Sequence, residues 1–201
     1  IDFKVDLQYS FLERMKTLLP TIPDWEKHNH SINCKYRYQI DSTSFCVPDA
    51  TCLHLMLRIL KPRRLIEVGS GWSSAVTLDT NEFYLDKQID ISFIEPRPDV
   101  LYKVLKEEDN CEIKNIGLEK VALSYFEQLE KGDVLFIDST HVSKIGSDIN
   151  YLLFEILPQL KSGVYIHFHD IFYPFEHPCE WLKKEGYIWN ELYMIRAFLM
   201  N

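Results

Sequence analysis

Residues 63–75, RRLIEVGSGWSSA, decide the fold. Leu65, Ile66 and Val68 make a short apolar run that stops at Gly69, the pattern of a buried strand ending in a turn. Gly69 and Gly71 let the backbone turn tightly and approach a ligand closely, and the helical pattern from Ser73 offers free N–H groups at its start. An ordinary strand-to-helix turn looks the same, and two details bear on the choice. The dinucleotide fingerprint G-x-G-x-x-G wants Gly or Ala where this chain has Ser74, so a pyrophosphate ligand is poorly supported. Glu67 places an acid at the end of a strand that should otherwise be apolar, which suits a cationic ligand better than a diphosphate.

Outward from this unit the alternation continues. DISFIEP (90–96), CEIKNIG (111–117), DVLFID (133–138) and GVYIHFHD (163–170) read as strands. Between them SSAVTLDTNEFYL (73–85), RPDVLYKVLKEE (97–108), EKVALSYFEQLEK (119–131) and DINYLLFEILPQL (148–160) read as helices. The expected fold class is α/β: a Rossmann-like, doubly wound, mainly parallel sheet with helices on both faces. Such sheets bind ligands beyond the carboxyl ends of the strands, where strand order reverses. Upstream, VPDATCLHLMLRILKP (47–62) carries Leu53, Met56, Leu57 and Leu60 at helical spacing, with Asp49 as the expected N-cap and Pro62 ending the helix. Residues 1–48 read as an N-terminal helix and cap segment broken by LPTIPDWEKHNH (19–30), and residues 49–201 as the ligand-binding domain. At the far end WNELYMIRAFLMN (189–201) spaces Trp189, Leu192, Tyr193, Arg196 and Leu199 as a helix.

The chain has 201 residues, 46% of them hydrophobic, enough for one sizeable core. Its net charge of −8 and its 22 scattered Lys and Arg argue against nucleic acid as a partner. Five cysteines without a C-x-x-C pair fit a reducing cytoplasm. No apolar run approaches the roughly eighteen residues needed to cross a bilayer, and the first residues are too polar for a secretory signal, so a cytoplasmic protein without a membrane partner is expected. Starting without Met and ending on AFLMN, the sequence reads as a piece of something longer.

Three strand tips carry the candidate chemistry. Glu95 in FIEP lies 26 residues after Gly69 at the neighbouring tip, where an acid can accept both hydroxyls of a ribose. FIDSTH puts Asp138 at the fourth tip and His141 three residues on. A neutral histidine there can take a proton near neutral pH, and an aspartate can hold a metal that acidifies a hydroxyl. The plain alternative is that Asp138 caps a helix and His141 sits at its solvent edge. In the fifth strand Tyr165, His167 and His169 face one side, which makes His167 a hydrogen-bonded core residue. His169 and Asp170 reach the tip beside Asp138, so Asp138, Asp170 and His169 form a candidate set for a divalent ion. IFYPFEHP (171–178) offers Phe172, Tyr173 and Phe175 either as a wall for an acceptor or as a packed connection, with Glu176 and His177 facing solvent.

EVGSGWSS, FIEP, LFIDSTHV and GVYIHFHDIFYPFEHP together resemble a class I S-adenosylmethionine-dependent methyltransferase of the family 24 branch, which includes macrolide-sugar and rhamnosyl O-methyltransferases. The resemblance spans about residues 45–200. It implies that Gly69, Ser70 and Gly71 wrap the methionine moiety beside Glu67, that Glu95 holds the ribose, and that Val121 and Ala122 lie by the adenine. Ser73 and Ser74 then hydrogen-bond the cofactor carboxylate or neighbouring water, Asp138 borders the cofactor, and His141 occupies the position of the catalytic base. His169 departs from the pattern, which has an acid or amide there. Because Mg²⁺ prefers oxygen, this leaves open whether a transition metal, Mg²⁺ or no metal binds. The closing antiparallel hairpin of that architecture finds no room before Asn201, so its strands are expected beyond it or missing.

The resulting expectation is an S-adenosylmethionine-dependent O-methyltransferase acting on a small hydroxylated acceptor such as a sugar, glycan or natural product. A nicotinamide-dependent oxidoreductase on a similar sheet, and a binding module that keeps the pocket without chemistry, are the alternatives. Oligomeric state is not fixed by the sequence, and a homodimer is compatible with it.

Overall fold

A computed structural model describes residues 1–28, 34–42 and 44–200. Its centre is a five-stranded sheet of β1 (Arg64–Val68), β2 (Asp90–Ile94), β3 (Cys111–Lys114), β4 (Val134–Ile137) and β5 (Tyr165–Phe168), in the order β3-β2-β1-β4-β5. All four pairings are parallel, with Val68 opposite Ile94 on one side and Ile137 on the other. The order reverses between β1 and β4, so a crevice opens at the tips of those two strands, the place where doubly wound Rossmann-like sheets generally bind ligands.

Alternation along the strands sorts two cores. Leu65, Ile91, Phe93, Val134 and Phe136 pack against α3 (Val47–Leu60) and α4 (Trp72–Tyr84), which follow α1 (Val5–Leu18) and the single turn α2 (Trp25–His28). Ile66, Val68, Ile94, Leu135 and Ile137 pack on the other face against the helical segment that opens with α6 (Asp148–Tyr151) and against α7 (Glu191–Phe198), while α5 (Asp99–Val104), between β2 and β3 in sequence, adds Leu101 and Val104 to the first core. Tyr36, Tyr38 and Phe45 share the first core with Leu53 and Leu57, so residues ahead of 48 are part of the same packed body. That segment is clamped to α4: the backbone N–H groups of Arg37 and Tyr38 both donate to Asp79 Oδ2 (2.8 and 3.1 Å), and the Arg37 guanidinium reaches Asp79 (2.8 Å), Glu82 (2.6 Å) and Asp109 (2.6 Å). Part of the expected break at 19–30 lies outside the described residues.

Four local expectations need correction. Residues 119–131 form no α-helix: two 3₁₀ turns, Leu118–Lys120 and Leu123–Gln128, flank an extended Val121 and Ala122. The Val121 carbonyl accepts the Tyr151 hydroxyl at 2.9 Å, a tertiary bond that competes with the helical one. The helix expected over 97–108 shrinks to α5, because Leu105 turns extended. Asp49 is not the N-cap of α3; the helix starts earlier, with Cys46 as cap and Pro48 in the first turn, and Asp49 accepts back from the Cys46 N–H (3.3 Å) and thiol (2.8 Å). His167 is half-buried and held by a stack on Phe136 (4.6 Å, 8° between planes), with burial pushing its pKa down to about 4. Among the described residues the sheet ends at β5, where Tyr165 and Ile166 are exposed, and no helix is long and apolar enough to cross a membrane.

Candidate active site

Gly69 shows why the sequence needs glycine at the crevice. Its φ is +80°, and a Cβ there would stand 1.8 Å from the Asp138 carbonyl oxygen. The bare backbone lets the tips of three strands lock together, with Gly69 N–H donating to Ile94 O (3.0 Å) and Asp138 N–H to Val68 O (2.9 Å). Above them opens a cleft of about 340 Å³, whose walls include Gly69, Ser70, Glu95, Leu118, Asp138 and Ser147. Glu95 crosses from β2 to the glycine turn: one carboxylate oxygen accepts from Ser70 N–H (3.1 Å), the other from Arg97 N–H (2.7 Å). These two bonds fix the carboxylate at the mouth and leave lone pairs for ligand hydroxyls.

The remaining residues expected around a cofactor divide. Glu67 is sealed beneath the turn with no exposed surface, and its Oε1 accepts from the hydroxyls of both Ser73 and Ser74 (2.7 Å each). A buried carboxyl needs such donors, so the two serines point at Glu67 and none of the three lines the cleft. Burial pushes the Glu67 pKa up to about 8 against those hydroxyls, which leaves the group largely protonated at neutral pH. Gly71 does not line the cleft either. Val121 is buried in the second core and Ala122 is exposed; the cleft wall after β3 is built from Gly117, Leu118 and Glu119 instead.

Asp138, His141, His169 and Asp170 do converge at the tips of β4 and β5. His141 Nε2 lies 3.3 Å from Asp138 Oδ1, while Nδ1 donates to Glu191 Oε2 at 2.8 Å. Burial disfavours the imidazolium, but Asp138 and Glu191 outweigh it and raise the pKa to about 9, so the ring expected to be neutral is a cation at neutral pH. Asp138 is held well below the usual carboxylate range: burial opposes ionisation, and the two histidines overcome it. His169 Nδ1 stands 3.6 Å from Asp138 and 3.3 Å from Asp170, with Nε2 3.7 Å from Asp49; these are charge contacts rather than aligned bonds. Burial disfavours its charged form, but Asp138 and Asp170 outweigh this and raise its pKa. Ligand atoms of Asp138, His141 and Asp170 all lie within 4.8 Å of one another, a compact set that includes His141 where the sequence suggested His169. His141 and Asp170 both have φ of 58°, a conformation that costs energy in non-glycine residues and clusters at functional sites.

The aromatic tail also divides. Phe175 is buried in the second core and Tyr173 is exposed. Phe172 instead joins His177, Trp181, Tyr187 and Trp189 in a chain of ring contacts at 4.5–5.9 Å that ends with Trp189 against His141 (4.3 Å). His177, expected to face solvent, is therefore half-buried against Trp181.

Two acids at the site were missed. Asp49 comes from the first turn of α3, and nothing in its local pattern marks it. Glu191 left a readable trace: it lies four residues before the buried Ile195, an acid on the apolar face of a helix. No known family profile matches the chain. An uncharacterized protein of Archaeoglobus fulgidus is 30% identical over 132 residues, 65% of this chain, and the chain spans about three fifths (59%) of that relative's length. A Plasmodium falciparum structure described as a protein-L-isoaspartate O-methyltransferase with bound S-adenosyl-L-homocysteine overlaps 64% of this chain and 71% of its own, at 18% identity and a TM-score of 0.37.

Proposed function

We propose that this chain is an S-adenosylmethionine-dependent methyltransferase that methylates a hydroxyl oxygen on a small acceptor such as a sugar, glycan or natural product. The observation that carries the reading is Glu95, pinned beside the glycine turn at the mouth of a cleft whose wall includes Asp138, with His141 Nε2 behind it at 3.3 Å from that carboxylate. Glu95 holds the ribose hydroxyls, the Gly69–Ser70 backbone approaches the methionine end, and Asp138 borders the sulfonium. In the transfer the acceptor oxygen forms the new bond to the methyl carbon as the carbon–sulfur bond breaks, and the hydroxyl proton passes to His141 Nε2. His141 must first be neutral, and a cationic sulfonium against Asp138 lowers its pKa toward that state. Titration calorimetry with S-adenosylhomocysteine tests the reading, and no heat at millimolar ligand, or tighter binding of NADH, sinks it. His141→Ala is expected to abolish turnover while cofactor binding persists.

A second reading adds a divalent ion, favoured by the convergence of Asp138, His141 and Asp170. These three residues would hold it, with His141 as ligand instead of base, and the imidazole points to Mn, Fe or Zn over Mg. Such an ion supplies Lewis acidity that makes a bound hydroxyl easier to deprotonate. Calorimetry with Mn²⁺ on the wild type and on Asp170→Asn separates this from the metal-free reading.

A further inference from the structure

Three consecutive residues at the start of α7 converge on His141. The backbone N–H groups of Asn190 and Glu191 both donate to the His141 carbonyl (3.1 and 3.2 Å), and the Asn190 side chain brackets Ser143, accepting from its N–H (2.6 Å) and donating to its carbonyl (3.1 Å). Trp189 lies against the imidazole ring, and the Glu191 carboxylate takes the Nδ1 hydrogen. Glu191 is 2% exposed, and among the described residues its Oε1 has no hydrogen-bond partner. An acid that merely favours a helix start can do so from solvent, whereas burying a carboxylate is costly without compensation. Its position is explained by the ring it touches.

We propose that Glu191 is the positioning residue of the site: it keeps the proton on His141 Nδ1 and thereby leaves Nε2, on the Asp138 side of the ring, as the nitrogen that takes and releases the working proton. The inference rests on the methyltransferase reading in which Nε2 receives the acceptor proton. Without Glu191 the opposite arrangement is favoured, because Asp138 faces Nε2 and stabilises a proton there. That tautomer has its lone pair on Nδ1, on the side of the ring opposite Asp138.

The test uses the full chain, ¹⁵N-labelled at histidine, and the Glu191→Gln and Glu191→Asp variants. Long-range ¹H–¹⁵N spectra at about pH 10, above the His141 pKa of about 9, report which ring nitrogen of the neutral ring holds a proton, and S-adenosylhomocysteine calorimetry reads the cofactor pocket separately. The wild type should show Nδ1 protonated. Glu191→Gln should lose that proton and keep the one on Nε2, with cofactor affinity unchanged within about twofold because Glu191 does not line the cleft. Glu191→Asp should recover part of the wild-type signal. Unaltered Nδ1 protonation in a folded Glu191→Gln overturns the proposal. If that variant does not fold, a wild-type ring lacking the Nδ1 proton overturns it equally. Wild-type protein that shows the expected spectra yet binds no S-adenosylhomocysteine instead removes the methyltransferase reading.

Discussion

Replacing Gly69 by alanine tests whether the crevice is set by the contact of two strand tips. The added methyl group must retreat from 1.8 Å to at least 3.4 Å from the Asp138 carbonyl, which is backbone and cannot rotate aside. Positive φ costs an alanine about 1 kcal/mol, and forcing a methyl into packed backbone adds about 1–3 kcal/mol, giving about 2–4 kcal/mol in all. For a chain of this size that corresponds to a fall in melting temperature of roughly 5–15 °C. The same displacement parts β1 from β4 and distorts the mouth that holds Glu95, so cofactor binding should weaken with it. Thermal melts followed by circular dichroism, with S-adenosylhomocysteine calorimetry on the folded protein, measure both effects. Gly71→Ala is the control, since a Cβ there meets nothing within 4 Å. A Gly69→Ala protein that melts with the wild type and binds as well would refute the claim that strand contact imposes glycine here.

Two further perturbations follow from the buried charges. Glu67 has a pKa raised from 4.5 to about 8, so the folded state binds more protons than the unfolded one between those values. Its contribution is therefore fully present below pH 4.5 and lost as pH rises through 8; urea titrations across this range should show Glu67→Gln losing less stability than the wild type. Arg37→Met leaves Asp79, Glu82 and Asp109 without their shared cation, an expected loss of about 3–5 kcal/mol in chemical denaturation. Limited proteolysis should then cut the segment ahead of α3 first, and an uncut variant would show that the clamp does not hold it.

The parallel sheet was legible because each strand tip coincides with a break in hydrophobic period, but the Gly69–Asp138 approach was not, since nothing in the sequence pairs β1 with β4. Convergence of β4 and β5 at one edge followed from Asp138, His169 and Asp170 each ending a strand. Local pattern failed where a long-range partner decided the matter. Val121 and Ala122 have helix-compatible neighbours but are drawn extended where Tyr151 meets the Val121 carbonyl. Ser73 and Ser74 look free at a helix start, yet the buried acid one strand earlier takes both hydroxyls. The protonation of His141 depends on Glu191, fifty residues away in sequence, which no spacing rule links to it.

The left-handed backbone at His141 and Asp170 has a consequence for any effort to stabilise this protein. A non-glycine residue in that conformation costs on the order of 1 kcal/mol, and both positions present side chains that the proposed reaction needs. Glycine at Asp170 would relax the chain while erasing the chemistry, whereas at His141 it would also leave the buried Glu191 carboxylate without its partner. Selection for heat resistance alone is therefore expected to reach Asp170 and spare His141, and variants recovered that way should be inspected at Asp170 first, since the gain in robustness and the loss of turnover would arrive in a single substitution.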